Sequence, residues 1–285
     1  MRTSLIALAC FVCAAPAFAD ENATERKLDL NIRRIGLEWS RTDIGHSEEY
    51  SDSPVSAFTA TDQDFFKGVF DTALEYVHDR MNWDNSLFME YGRTTLRPYD
   101  GEKTTDENAD KILLSSDFSY ECWEFGGLKL GPTNRAQYQT EFVAGPSAPR
   151  QNLLRDSAGI ALFGHEVIKT LYLAGVYEYD FTYGHDQTSK IGAELGWRVE
   201  YKIREGMAFK TDGYYREYLG FSHYVGTDLK RDLSAVARLD ANMWGDFTMG
   251  PYVQYRLARA RGEHVYGSNF IVGIGFNYIT KFGLM

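Results

Sequence analysis

The feature that most constrains this chain is a period of two that recurs along most of its length. The clearest case is the run from Leu171 to Tyr183. One parity reads Leu171, Leu173, Gly175, Tyr177, Tyr179, Phe181 and Tyr183, and the other reads Tyr172, Ala174, Val176, Glu178, Asp180 and Thr182. Alternate residues of a strand point to opposite faces, so this segment has one apolar, aromatic face and one face that carries acids. The design repeats in Ile191, Ala193, Leu195, Trp197, Val199, Tyr201 and Ile203 against Glu194, Arg198, Glu200 and Lys202. It returns in the last segment, where Phe270, Val272, Ile274, Phe276, Tyr278, Thr280 and Phe282 share a face.

Carried along the chain, the pattern predicts about twelve strands, over 28–42, 68–78, 86–97, 111–123, 128–143, 153–163, 170–183, 190–204, 207–221, 229–243, 246–260 and 269–282. Arg33-Arg34 and Pro132 interrupt the alternation in the first and fifth of them. Connections after even-numbered strands are mostly short, such as Glu205-Gly206 and Trp244-Gly245, whereas those after odd-numbered strands are longer and more polar. The longest runs from Asp43 to Lys67, followed by Pro98 to Asp110. Short turns on one rim and long loops on the other is the plan of a bacterial outer-membrane barrel, with the short side periplasmic. An even strand count places both termini on that side.

The expected fold class is therefore all-β, a single antiparallel transmembrane β-barrel. Both this and a soluble sandwich alternate, and the aromatic density decides between them. The chain has 5 Trp, 19 Tyr and 18 Phe, and Tyr183, Trp197, Tyr201, Tyr255, Tyr278 and Phe282 lie near strand ends, as aromatic girdles would. A soluble barrel of twelve strands would enclose more apolar volume than these side chains fill. No run of 18 apolar residues occurs, so a helical span is excluded.

Residues 1–19 read as a signal peptide, with Arg2, an apolar stretch from Leu5 to Ala15 and the small-x-small site Ala17-Phe18-Ala19. Its cleavage leaves one domain, 20–285, exported to the cell outer membrane, with Cys122 as its one thiol and no intramolecular disulfide. The formal charge of -10 argues against nucleic acid as a partner.

If the aromatic parity faces lipid, the polar parity lines the lumen. The lumen-lining candidates are Glu178, Asp180, Glu194, Glu200, Asp212, Asp232 and Asp240, with Arg198, Lys202, Lys210, Arg216, Arg238 and Arg256. Seven acids against six bases is close to balance, which suits cross-strand pairing (Glu200 with Lys210, Arg198 with Asp212) better than a selective ladder of one sign. Tyr214, Tyr218 and Tyr252 share this parity. The expected function is a narrow, porin-like passive channel for small polar solutes, with a non-conducting structural or interaction barrel as the alternative. A lipid-modifying enzyme is a distant third. The six histidines are scattered, and in Ser222-His223 with Asp228 an extended chain would point the neighbours apart, so no catalytic residue, cofactor or metal site is expected. The acidic stretches Glu48-Glu49, Asp62 to Asp64 and Asp100 to Asp110 read as solvated loops, with divalent cations bridging lipopolysaccharide as the alternative. Outer-membrane lipid and lipopolysaccharide are the expected surroundings. The C-terminal strand closing on Phe282 resembles the signature read by barrel-assembly machinery, with Gly283-Leu284-Met285 trailing beyond it.

One region carries a resemblance. Trp83-Asp84-Asn85-Ser86-Leu87, Tyr91-Gly92, Asp110-Lys111-Ile112 and Tyr138-Gln139-Thr140-Glu141-Phe142 resemble uncharacterised outer-membrane β-barrel domains of Gram-negative bacteria, over roughly residues 83–163. The resemblance implies a fold and a location and carries no chemistry.

Overall fold

The computed structural model describes residues 26–59, 64–96, 104–144, 149–185 and 187–285. The expected signal peptide and the acidic stretches around Asp62 and Asp100 lie wholly or partly outside them. The elements are β1 (Arg26–Gly45), a short helix α1 (Ser56–Thr59), β2 (Asp64–His78), β3 (Met81–Leu96), β4 (Thr104–Tyr120), β5 (Trp123–Phe125), β6 (Leu128–Thr140) and β7 (Asn152–Phe163). They continue with β8 (Ile168–Asp180), β9 (Thr188–Arg204), β10 (Met207–Phe221), β11 (Leu229–Trp244), β12 (Phe247–Ala260) and β13 (Gly267–Gly283).

These strands form one antiparallel sheet that closes on itself. β1 pairs with β13, from Asp29 opposite Gly283 to Gly45 opposite Ser268. The circle is completed where β4 pairs with β6, Ile112 opposite Thr140 and Ser119 opposite Thr133. β5 pairs with β6 as well, through Trp123 and Leu130, so β4 and β5 are one barrel position broken at Glu121-Cys122. The result is a closed twelve-stranded barrel with one extra short strand, not a two-sheet sandwich.

Alternation governs which side of the wall each residue takes. The apolar parity faces outward, with Leu37 68%, Phe66 70% and Leu219 76% exposed, while the opposite parity is buried at Glu38, Lys67 and Tyr218. Two departures from the expected spans share a cause. β3 begins at Met81 rather than 86 and β4 at Thr104 rather than 111, because the polar residues there continue the ladder instead of leaving it. Asp84, within a stretch expected as turn, faces inward and pairs with Arg33. The Arg33-Arg34 interruption is a β-bulge. Between Ile32 opposite Thr280 and Ile35 opposite Tyr278, two residues of β1 stand against one of β13. The bulge lets Arg33 reach Asp84 and Glu75 while Arg34 reaches Glu38, so neither guanidinium points out.

Strand packing is tightest at Gly250, where an added Cβ would lie 1.5 Å from the carbonyl oxygen of Leu239. Gly250→Ala forces β11 and β12 apart. We expect it to lower barrel stability by about 2 kcal/mol, read as a shift in the urea concentration that abolishes the compact, heat-modifiable gel species. Gly184→Ala, where nothing lies within 4 Å, should leave that midpoint unchanged.

Candidate functional site

The inward parity of a closed barrel places charged side chains where water is scarce, and each must find a partner there. Glu38 on β1 is fully buried and lies within reach of three cations, Arg34 at 2.7 Å, Lys67 at 3.1 Å and Arg238 at 3.0 Å. Lys67 also meets Glu90 at 3.2 Å and lies over the Tyr252 ring, whose hydroxyl is hydrogen-bonded to Ser40. On the opposite wall Glu178 takes Arg155 through Nε at 2.8 Å, Lys190 at 3.1 Å and the Tyr218 hydroxyl at 2.5 Å. Lys190 extends the chain to Asp180 at 3.3 Å and Asp228 at 2.8 Å. Between these two groups Arg216 grips Glu194, Arg256 is bidentate to Asp232 at 3.1 Å, and Tyr214 donates to Asp232 at 2.9 Å. Arg135 donates to the Tyr172 hydroxyl, which in turn donates to Glu194.

Several of these links join strands that are not neighbours. Arg238 to Glu38 spans β11 to β1, Tyr218 to Glu178 spans β10 to β8, and Arg135 to Tyr172 spans β6 to β8. The lumen is therefore crossed by side chains rather than only lined by them.

The thirteen candidate lining residues divide by height. Glu178, Glu194, Arg216, Asp232 and Asp240 are buried, and Asp180, Glu200, Lys210, Arg238 and Arg256 are partly buried. Arg198, Lys202 and Asp212 are exposed and lie toward the short-turn ends of β9 and β10. The register sets Glu200 opposite Lys210 and Arg198 opposite Asp212. Lys210 nevertheless closes on Asp240 of β11, at 3.1 Å. Arg34, Glu38, Lys67, Glu90, Arg135, Arg155 and Lys190 belong to the same network and were not among the candidates. For most of them the signal was the same alternation in β1, β2, β3, β6, β7 and β9, obscured by the Arg33-Arg34 bulge and by polar residues on both faces of β3 and β6.

The long-loop mouth is covered from within the chain. His46 takes a positive φ of 63° where β1 ends, turning the backbone back over the barrel. The loop then seats Tyr50, Val55 and Phe58 against Ala258 and Ala260 of β12. The Tyr50 hydroxyl accepts the Ala260 N–H at 3.1 Å and lies 3.0 Å from the Val265 carbonyl. Its ring rests on Gly267, where a Cβ would stand 3.1 Å from it. Arg256 lies 5.1 Å from the centre of the Phe58 ring, and Asn269 donates to the Ala57 carbonyl. Beneath the loop a cavity of about 30 Å³ remains, bordered by Val55, Arg155, Glu178, Lys190 and Tyr218. That is room for a single water molecule.

Ser222 and His223 do meet, Oγ to Nδ1 at 3.1 Å, contrary to the expectation from an extended chain. They lie in a bend after β10, and a bend does not alternate. Asp228 is committed to Lys190, and Ser222 Oγ also accepts the Ser189 N–H at 3.0 Å, so the serine closes a turn. Of the acidic stretches, Glu48 and Glu49 are exposed, whereas Asp110 accepts the backbone N–H groups of Phe142 and Val143. Cys122 is half-buried in the break between β4 and β5.

No protein-family model matches the chain, and no curated protein sequence does either. Among solved structures it is similar to outer membrane phospholipase A from Escherichia coli, at 11% identity over 86% of this chain and 90% of that one, TM-score 0.45. The outer membrane channel DcaP of Acinetobacter baumannii aligns at 8% identity over 93% and 100%, TM-score 0.44. The NanC porin aligns at 12% over 84% and 98%, TM-score 0.41. All three scores fall below 0.5, and the barrel assignment rests on this chain's own strand pairing.

Removing the charge at Glu38 leaves three cations facing one another in a buried space. Glu38→Gln should cost about 3–5 kcal/mol of barrel stability, measured by urea titration of the folded gel species. Exposed Glu48→Gln should cost nothing measurable.

Proposed function

We propose that the chain is an outer-membrane β-barrel whose lumen is a narrow, gated conduit for small polar solutes, closed at rest by the loop that follows β1. The observation that carries this reading is that loop. It sits in the mouth as a separate layer, held by Tyr50, Val55 and Phe58, above a wall that presents both signs of charge. A cover anchored by a few side chains can be withdrawn without breaking a strand pair.

The membrane location is supported by the outer face. Leu37, Phe66, Ile160, Leu173, Leu219 and Phe276 stand out from the wall, each more than half exposed, an arrangement unfavourable in water and natural in lipid. A closed sheet is also the one strand arrangement that satisfies every backbone group inside a bilayer. Trp83, Trp123, Phe125, Tyr201 and Trp244 project outward toward the short-turn rim, as an interfacial girdle would. That rim is assigned to the periplasm. Phe282, 47% exposed on the last strand, is the proposed contact for assembly machinery. Near balance of charge in the lumen favours polar solutes over ions of one sign, and the proposed role is transport rather than catalysis.

A second reading, a barrel that never conducts, is favoured by the links that cross the lumen. Planar-bilayer recording of the refolded mature chain separates the two. Wild type should show rare, small openings, and Tyr50→Ala with Phe58→Ala should raise the open probability at least about tenfold, since both rings lose their seats. A double variant that inserts yet stays silent would establish the non-conducting barrel. Acyl release from phospholipid by the pure protein would overturn both in favour of an enzyme.

A further inference from the structure

The outer face at the long-loop rim carries charge that its own residues do not balance. Arg231 of β11 and Arg259 of β12 are direct cross-strand partners. Like charges in that position repel, and a sheet gains nothing from placing them there unless something neutralises them. Arg261 follows in the bend just past the end of β12, and Lys230 is exposed at the bulge between Leu229 and Arg231. Against these four cations, Glu217 is, among the described residues, the carboxylate within ion-pair distance, at 3.0 Å from Arg231. In a chain of net charge -10 such a concentration is not a consequence of composition.

The cations are also held in place. Arg231 donates to the Tyr266 hydroxyl at 2.7 Å, a bond that holds this phenol below its usual range, and Arg259 lies 5.7 Å from the centre of the same ring. Arg261 lies 4.1 Å from the centre of the Phe221 ring and 4.8 Å from that of Tyr224, while donating to the His223 carbonyl at 2.7 Å. Arg259 and Arg261 each donate to a backbone carbonyl, of Glu263 and His223, which orients the guanidinium and leaves donors free for a bidentate anion. Arg231 is engaged through Nε and Nη1 and keeps Nη2. Toward the middle of the wall from Arg231 and Arg259, Tyr215, Val253 and Phe270 stand out, while Leu219, 76% exposed, lies on their rim side.

Oriented cations over a bare apolar wall fit an amphiphile with an anionic head, and we propose that Arg231, Arg259 and Arg261 bind the phosphate groups of a phosphorylated glycolipid whose acyl chains lie along β10–β13. This rests on the outer-membrane reading, in which the long-loop rim meets the outer leaflet. It differs from the sequence-based expectation of acidic loops bridged to lipopolysaccharide by divalent cations, because here the protein supplies the positive charge itself.

The test uses the full mature chain, refolded in detergent and titrated with a diphosphorylated glycolipid of the lipid A type, its dephosphorylated counterpart and inorganic pyrophosphate, with bound species counted by native mass spectrometry. Saturable binding of the diphosphorylated lipid is expected. It should weaken at least about tenfold in the Arg259→Gln, Arg261→Gln double variant and persist in Arg204→Gln, which removes a cation from the opposite rim. Equal binding by the double variant, or of the dephosphorylated lipid, overturns the assignment. Pyrophosphate binding as tightly as the lipid overturns the lipid and leaves a soluble anion. Failure of the membrane reading is seen separately, as loss of liposome insertion by wild type and variants alike.

Discussion

Everything inside this barrel follows from the cost of an unpaired charge in a space with little water. A buried carboxylate without a partner costs several kcal/mol, so each one draws cations from whichever strands can reach it. Glu38 draws them from β1, β2 and β11, and Glu178 from β7 and β9 with a tyrosine from β10. The hydrogen-bonded ladder fixes neighbouring strands, while these side chains fix strands that are not neighbours. Wall and filling are thereby one structure, and the filling determines how round or flattened the wall can be.

That filling bears on the proposed transport as well. A wide pore would need the same charges to be hydrated rather than paired, as Arg198, Lys202 and Asp212 are toward the short-turn rim. The lumen thus changes character along its axis, from exposed charges beside the Arg33–Asp84 and Lys210–Asp240 pairs at one end to a layer both paired and covered at the other. The loop after β1 adds a small apolar cluster to the covered end, with Phe58 packed under Arg256, so the barrier there combines charge pairing with exclusion of water.

Much of the wall was legible in the sequence, because alternation is a local property and reports directly on which face a residue takes. Eleven of the strands expected for the twelve barrel positions need no change in pairing, and the fourth is only divided, at Glu121-Cys122. What escaped was whatever depends on contacts between distant strands. Met81–Asn85 looks like a loop until Arg33 is seen opposite Asp84. The bulge at Arg33-Arg34 reads as a fault in the pattern, and only the lumen shows that it doubles the charge delivered by one strand. The inward turn of the β1–β2 loop is equally silent, since nothing local in Tyr50 or Phe58 specifies Ala258, Ala260 or Gly267 as its seat. The Ser222–His223 contact escaped for the opposite reason, an alternation rule applied where the chain bends.

The seam between β1 and β13 joins the two ends of the chain, and the loop that leaves β1 docks on β12, Gly267 and Asn269 at sequence separations above 200 residues. Neither contact can exist until the last strand has arrived. A nascent or partly assembled chain consequently has an open edge and an uncovered mouth at the same moment, and loses both together. Covering of the mouth therefore dates the end of folding. A stalled intermediate would be open-mouthed as well as incomplete, and its unpaired edge stays exposed for as long as the final strand takes to arrive.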